Sequence, residues 1–172
     1  MAIAAAVRRP VHVVGDVKLT AWPVIGPQLP RLGMVALRRG QGDAAALDVL
    51  GDLLARGACI AVYPEGSRSR DGRVHRLRSG VARLAAQYQV PVVPATVSGI
   101  ERRWPIDGRP RLVGGPVTVR FGPALPPPEP TPRARREFNL TLQQRLADLA
   151  GVEMAETFST PHGGADAPGP TS

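Results

Sequence analysis

The 172-residue chain has a single cysteine, a single lysine and few aromatic residues, and each scarcity excludes something. One thiol, Cys59, cannot form an internal disulfide or a cysteine-rich metal site, and it is compatible with a reducing, cytoplasmic setting. Aromatic residues are 4% of the chain and interleave with no basic stretch, so a stacking platform for single-stranded nucleic acid has little to be built from. No apolar run approaches the roughly 18 to 20 residues of a membrane-spanning helix, so any membrane contact is expected to be peripheral. The stretch Met1 to Val7 is too short for a secretory signal, and its arginines follow it rather than precede it. Histidine, cysteine and carboxylates nowhere take metal-ligand spacing, and no metal or cofactor is expected.

What the chain has is arginine. Lys18 is the only lysine among 22 basic residues, which face 14 acidic ones for a net charge of +8. Such a surface suits phosphorylated small substrates, anionic lipid headgroups or nucleic acid equally well. An apolar content of 43% places the chain among globular proteins, with one α/β domain expected over residues 1–150. After about Met154 glycine, proline, serine, threonine and alanine take over without periodicity, so residues 151–172 are expected to form a disordered tail.

The order of elements follows from period and punctuation. Met1 to Val7 is helix-like but uncapped, and Val11 to Val14 is a short strand closed by Gly15 and Asp16. Three prolines break the apolar stretch Trp22 to Pro30, which reads either as a lid on the core or as a surface that dips into a bilayer. Met34 to Leu37 is a second strand. Asp43 then caps a helix with Leu47, Leu50 and Leu54 on one face, ended by Gly57. Cys59 to Tyr63 follows as a buried strand, and this strand, helix, strand unit crosses over right-handed, bringing Leu37 and Tyr63 to one sheet edge. Ser79 is placed to cap a helix carrying Val81, Leu84, Ala85 and Tyr88, and strand Val92 to Val97 completes a second crossover. Val117 to Phe121 is an edge strand and Pro126 to Pro130 a stiff linker. Thr131 and Pro132 open a last helix whose stripe is Phe138, Leu142, Leu146 and Leu149. The sum is a mixed, largely parallel sheet flanked by helices.

Strand Cys59 to Tyr63 must end at Pro64, which has no N–H for a ladder, and it delivers a polar loop, Glu65-Gly66-Ser67-Arg68-Ser69-Arg70. In open α/β sheets ligands bind beyond the carboxyl ends of strands, so this loop is the candidate site. Arg39 reaches the same edge from the preceding strand. Two guanidinium groups suit a phosphomonoester because they offer planar, permanently charged, bidentate donors. Gly66 lets backbone approach a ligand and Ser67 adds a hydroxyl. The other arginines read as solvated surface charges.

These residues also carry a resemblance. Tyr63-Pro64-Glu65-Gly66-Ser67-Arg68-Ser69 resembles the Phe-Pro-Glu-Gly-Thr-Arg-Ser block of the glycerolipid acyltransferase family, the group that includes the lysophosphatidate (1-acylglycerol-3-phosphate) acyltransferases. Gly33 to Arg39 is similar to its second motif, with Arg38 where the family often has aspartate, and Val90 to Pro94 is similar to its fourth. The likeness runs from about Arg9 to Val97 and implies a glycerol-3-phosphate acyltransferase-like fold. It also implies transfer of a fatty acyl group from acyl-CoA or acyl carrier protein to the free hydroxyl of a lysophospholipid phosphate, peripheral to the inner face of the plasma membrane. Arg39, Glu65, Gly66, Ser67 and Arg68 would be substrate-binding, Glu65 touching either the glycerol part of the acceptor or its own loop backbone.

One family element is missing from the sequence. The family's base is a histidine with an aspartate five positions later, and none of His12, His75 or His162 has that partner. His12 and Asp16, four apart on a strand, are separated by about 13 Å at the usual rise. His75 is expected at the surface, His162 in the tail, and Cys59 inert inside a strand, which leaves no catalytic residue to name. In the family, the Asn-His-x-Ser-x-x-Asp block comes just ahead of a short helix and a strand similar to the helix-like start and Arg9-Pro10-Val11-His12 of this chain. The expectation is therefore that the N-terminal part of the domain lies upstream of Met1. The rival readings are an inactive or truncated phospholipid-binding module of the same fold and a basic nucleic-acid-associated protein.

Overall fold

The computed structural model of the chain describes residues 2–21, 26–31, 33–37, 43–67, 69–105 and 114–159. A short helix α1 (Ala2–Ala6) leads into β1 (Val11–Asp16), followed by 3₁₀ turns at Val17–Ala21 and Gly26–Gln28. Then come β2 (Met34–Leu37), α2 (Asp43–Ala55), β3 (Cys59–Ala61), α3 (Gly80–Tyr88) and β4 (Ala95–Ser98). α4 (Ile100–Arg103), β5 (Thr118–Phe121) and α5 (Pro132–Ala150) complete the order.

β1 is the middle of a three-stranded sheet of order β2-β1-β3, parallel on both sides. The crossover unit therefore exists, but β2 and β3 flank β1 instead of pairing with each other, so their carboxyl ends meet one edge with a strand between them. β3 is shorter than its apolar run, ending at Ala61, where its register with Val13 stops.

The second crossover does not join this sheet among the described residues. β4 pairs antiparallel with β5, with Ala95 opposite Phe121 and Ser98 opposite Thr118. Pro94 interrupts this pairing without redirecting it. It is fully buried, has no N–H, and cuts the expected strand in two, so that Val92 bridges Leu125 and the Pro94 carbonyl accepts the Gly122 N–H at 2.9 Å.

The helices close over this frame by packing. Leu50 and Gly51 of α2 are buried against α3, where any Cβ on Gly51 would collide with the Tyr88 hydroxyl. Ser79 has αR backbone and makes no side-chain cap bond, whereas Thr131 accepts the Ala134 N–H at 3.2 Å as an N-cap should. The main apolar cluster joins Ala82 of α3 and Phe138, Leu142, Leu146 and Ala147 of α5 to Val74 and Leu77 of the loop after β3. Each large side chain buried there contributes roughly 1.5 to 3 kcal/mol. The far end of the candidate loop is thus part of the core.

Candidate functional site

Past Ala61 the chain runs through Val62 and an exposed Tyr63 into a turn closed by Gly66 N–H donating to the Tyr63 carbonyl at 3.0 Å. Gly66 has φ +78, and a Cβ there would meet the Arg78 side chain within 2.5 Å of Nε. The positive φ is what calls for glycine here, since the Arg78 side chain could shift aside. Arg78 straps this turn from behind: its N–H donates to the Pro64 carbonyl at 2.9 Å and its Nε to the Glu65 carbonyl at 3.3 Å.

The Glu65 side chain turns toward its own loop, where Oε2 accepts the His75 backbone N–H at 3.0 Å. Of its two readings, the bond to loop backbone is the one seen. Burial raises the Glu65 pKa above the usual carboxylate range, partly opposed by that same hydrogen bond. The Ser67 hydroxyl donates to the Ser159 hydroxyl at 2.7 Å, so its proton points at the C-terminal segment. Arg39 and Arg68, the expected phosphate partners, lie outside the described residues, as do Trp22 and Ile25 of the apolar stretch.

His75 is not the surface residue its position in an arginine-rich loop suggests. Its side chain is 13% exposed, with Nε2 3.0 Å from Asp71 Oδ1 and Nδ1 3.3 Å from the Thr157 carbonyl. Asp71 is the hub of this outer turn, also accepting from Ser69 Oγ, the Arg73 N–H and Arg73 Nε at 2.9 to 3.2 Å. The His75 bond, then those from Arg73 and Ser69, hold the Asp71 carboxyl well below its ordinary range. A carboxylate on one ring nitrogen and Thr157 on the other tie His75 to both the outer turn and the C-terminal segment. His12 lies within β1, half-buried, and Cys59 in β3 is likewise half-buried. Among the described residues no group of three or more His, Cys, Asp or Glu could hold a metal, and no helix is long and apolar enough to cross a membrane.

Further contacts to the loop come from α5 and from beyond the expected domain end. Residues 152–159 continue past α5 and pack along the loop, in place of the disorder expected from residue 151 onward. Gln143 on α5, buried, donates from Nε2 to the carbonyls of Val74 and Ala155, both at 3.0 Å. A glutamine inside the apolar stripe of α5 is a legible signal of a buried polar partner. For Ser159 the sequence holds no such signal.

This arrangement, a parallel-sheet edge feeding a Pro-Glu-Gly-Ser turn, can be set beside known proteins. A family model described as Acyltransferase matches residues 1–98. A chloroplastic 1-acyl-sn-glycerol-3-phosphate acyltransferase of Brassica napus is 35% identical over 99 residues, 56% of this chain and 29% of that protein. A 1-acyl-sn-glycerol-3-phosphate acyltransferase of Chlamydomonas reinhardtii is 32% identical over 122 residues, 70% of this chain and 37% of its own. The human alpha form is 33% identical over 97 residues, 55% of this chain and 34% of its own. The chain thus spans well under half the length of these relatives. Among solved structures, the acyltransferase PlsC of Thermotoga maritima superimposes with a TM-score of 0.56 at 20% identity, covering 81% of this chain and 57% of that one. That likeness is one of fold.

Proposed function

The chain belongs to the acyltransferase family, and from that premise we propose that it serves the transfer of a fatty acyl group from acyl-CoA or acyl carrier protein to the free hydroxyl of a lysophosphatidate-type acceptor. The observation that carries this is the Glu65-Gly66-Ser67 turn, held at the carboxyl edge of a parallel sheet by Arg78 and His75. In sequence Arg68 comes directly after this turn and Arg39 comes two residues after the last residue of β2. Their role is to bind the acceptor phosphate bidentately, while the rigid turn fixes the direction from which the glycerol hydroxyl is presented. The chemical step requires a base to deprotonate that hydroxyl and donors for the oxyanion that forms on the thioester carbonyl. On this reading the described residues serve the acceptor site, and none of them is assigned the role of base.

The same observation favours a second reading, a phospholipid-binding module of this fold without catalysis. Acceptors with acyl chains partition into bilayers, so either reading places the protein peripherally on an anionic surface, the inner face of the plasma membrane in a cell.

The deciding experiment measures lysophosphatidate binding by calorimetry and acyl transfer from a thioester donor, with Arg145→Ala on the outer side of α5 as control. Arg68→Ala is expected to weaken acceptor binding about ten- to a hundredfold with an unchanged circular dichroism spectrum, the loss of a charge-assisted bond of about 1.5 to 3 kcal/mol. Anionic vesicles should retain the wild type, less so as salt rises. Transfer at a substantial rate establishes the first reading and binding without transfer the second. Equal affinity in wild type and Arg68→Ala, or retention on duplex DNA with no lysophosphatidate affinity, removes both.

A further inference from the structure

The family match stops at residue 98, yet the turn it contains is held by the other end of the chain. α5 ends at Gly151, whose φ of +70 turns the backbone out of the helix. Residues 153–157 then run alongside 74–76 as a short parallel ladder. Val74 N–H donates to the Glu153 carbonyl at 3.0 Å, Ala155 N–H to the Val74 carbonyl at 2.9 Å and Arg76 N–H to the Thr157 carbonyl at 2.9 Å. The Arg76 guanidinium lies 5.1 Å from the centroid of the Phe158 ring. Two residues beyond Thr157, Ser159 is 4% exposed, and with Gln143 it makes up the buried polar pair among the described residues.

A buried hydroxyl is costly unless hydrogen-bonded, and Ser159 is bonded twice. It donates to the Glu65 carbonyl at 3.1 Å and accepts from Ser67 Oγ at 2.7 Å. Both partners belong to the Glu-Gly-Ser turn, 94 and 92 residues away in sequence. They flank Gly66, the residue with left-handed backbone, so a single side chain clamps both sides of the most permissive point of the loop. The turn contributes nothing to the buried apolar cluster, and a turn without apolar anchors depends on such bonds for its order.

We infer that Ser159 is a positioning residue for the acceptor site, setting the Glu65-Gly66-Ser67 turn in the conformation that binds the phosphate-bearing ligand. This rests on the acceptor reading above, and extends the functional unit from the matched residues to the segment after α5. Ser159 acts through the backbone of Glu65 and the hydroxyl of Ser67 rather than by touching the ligand.

The test compares wild type, Ser159→Ala and Ser159→Thr by amide hydrogen exchange without ligand and by calorimetry with a short-chain lysophosphatidate. In Ser159→Ala, exchange at Gly66 and His75, whose N–H groups report on the turn, is expected to quicken several-fold. Val74 and Ala155, whose N–H groups report on the ladder, should keep their protection. Acceptor affinity should fall about three- to tenfold, the usual consequence of losing a net hydrogen bond, and Ser159→Thr, which keeps the hydroxyl, should recover most of it. Equal quickening at all four amides would mean that the segment has simply detached, and would overturn a specific role for Ser159. So would unchanged exchange and affinity in Ser159→Ala while Arg68→Ala still weakens binding. If wild type takes up no lysophosphatidate, the acceptor reading fails before any variant is made, and the exchange measurements alone then decide whether Ser159 sets the turn.

Discussion

The loop that follows β3 is held in two different ways along its length. Its rear, Val74 and Leu77, is anchored by burial against Ala82, Phe138, Leu142, Leu146 and Ala147. Its front, Glu65 to Ser67, rests on hydrogen bonds to Arg78, His75 and Ser159. Apolar burial is strong and indifferent to direction, whereas each hydrogen bond is worth little net but fixes an orientation. The rear thus supplies stability and the front supplies geometry, a division that suits the acceptor site proposed above. It also shows why an abundance of arginine is a poor guide. Around Asp71 the charge is consumed within the loop itself, with Arg73 and His75 both bonded to one carboxylate.

Adjacent residues on α5 allow the comparison to be broken. Leu142, 2% exposed, serves the rear anchor, and Leu142→Ala should cost about 2 to 5 kcal/mol in a denaturant titration, from lost burial and the cavity left behind. A loss below about 1 kcal/mol would mean that the cluster does not anchor the loop. Gln143 serves the joint between the loop and the C-terminal segment. In Gln143→Leu the Ala155 carbonyl loses its Nε2 donor, while the Val74 carbonyl keeps the Ala155 N–H. The expected cost is about 1 to 3 kcal/mol, smaller than for Leu142, with exchange at Ala155 quickening before exchange within α5. Identical exchange patterns for the two variants would erase the distinction between rear and joint.

The smallest effect is at the outer turn. The carboxyl of Asp71 is held below its ordinary range by His75 first, so any stability it lends is complete above the usual carboxylate range and is lost only as pH falls through its own depressed value. A carbon-13 titration should show Asp71 still ionised where the exposed carboxylates have taken up protons. An ordinary midpoint would show that the Asp71–His75 bond is not kept in solution. Because Asp71 is exposed, the effect on unfolding should be slight.

Much of this was determined by the sequence alone, because it depends on neighbours in the chain. Asp43 and Gly57 bound the region of α2, Thr131 and Pro132 start α5, Pro64 ends the run after β3, and the Phe138, Leu142, Leu146 stripe recurs at helical spacing. The Pro-Glu-Gly-Ser turn was legible for the same reason: a strand that meets proline and then glycine must deliver a loop. The tertiary structure alone decided that β1 lies between β2 and β3, that β4 pairs with β5, and that Ser159 returns to Glu65. Strand order depends on which edges are free when each strand arrives, which no local period encodes. A hydroxyl that bonds a carbonyl 94 residues away leaves no trace in spacing, since a serine in a Gly-Pro-Ser-Thr-rich stretch reads as solvated until the fold buries it.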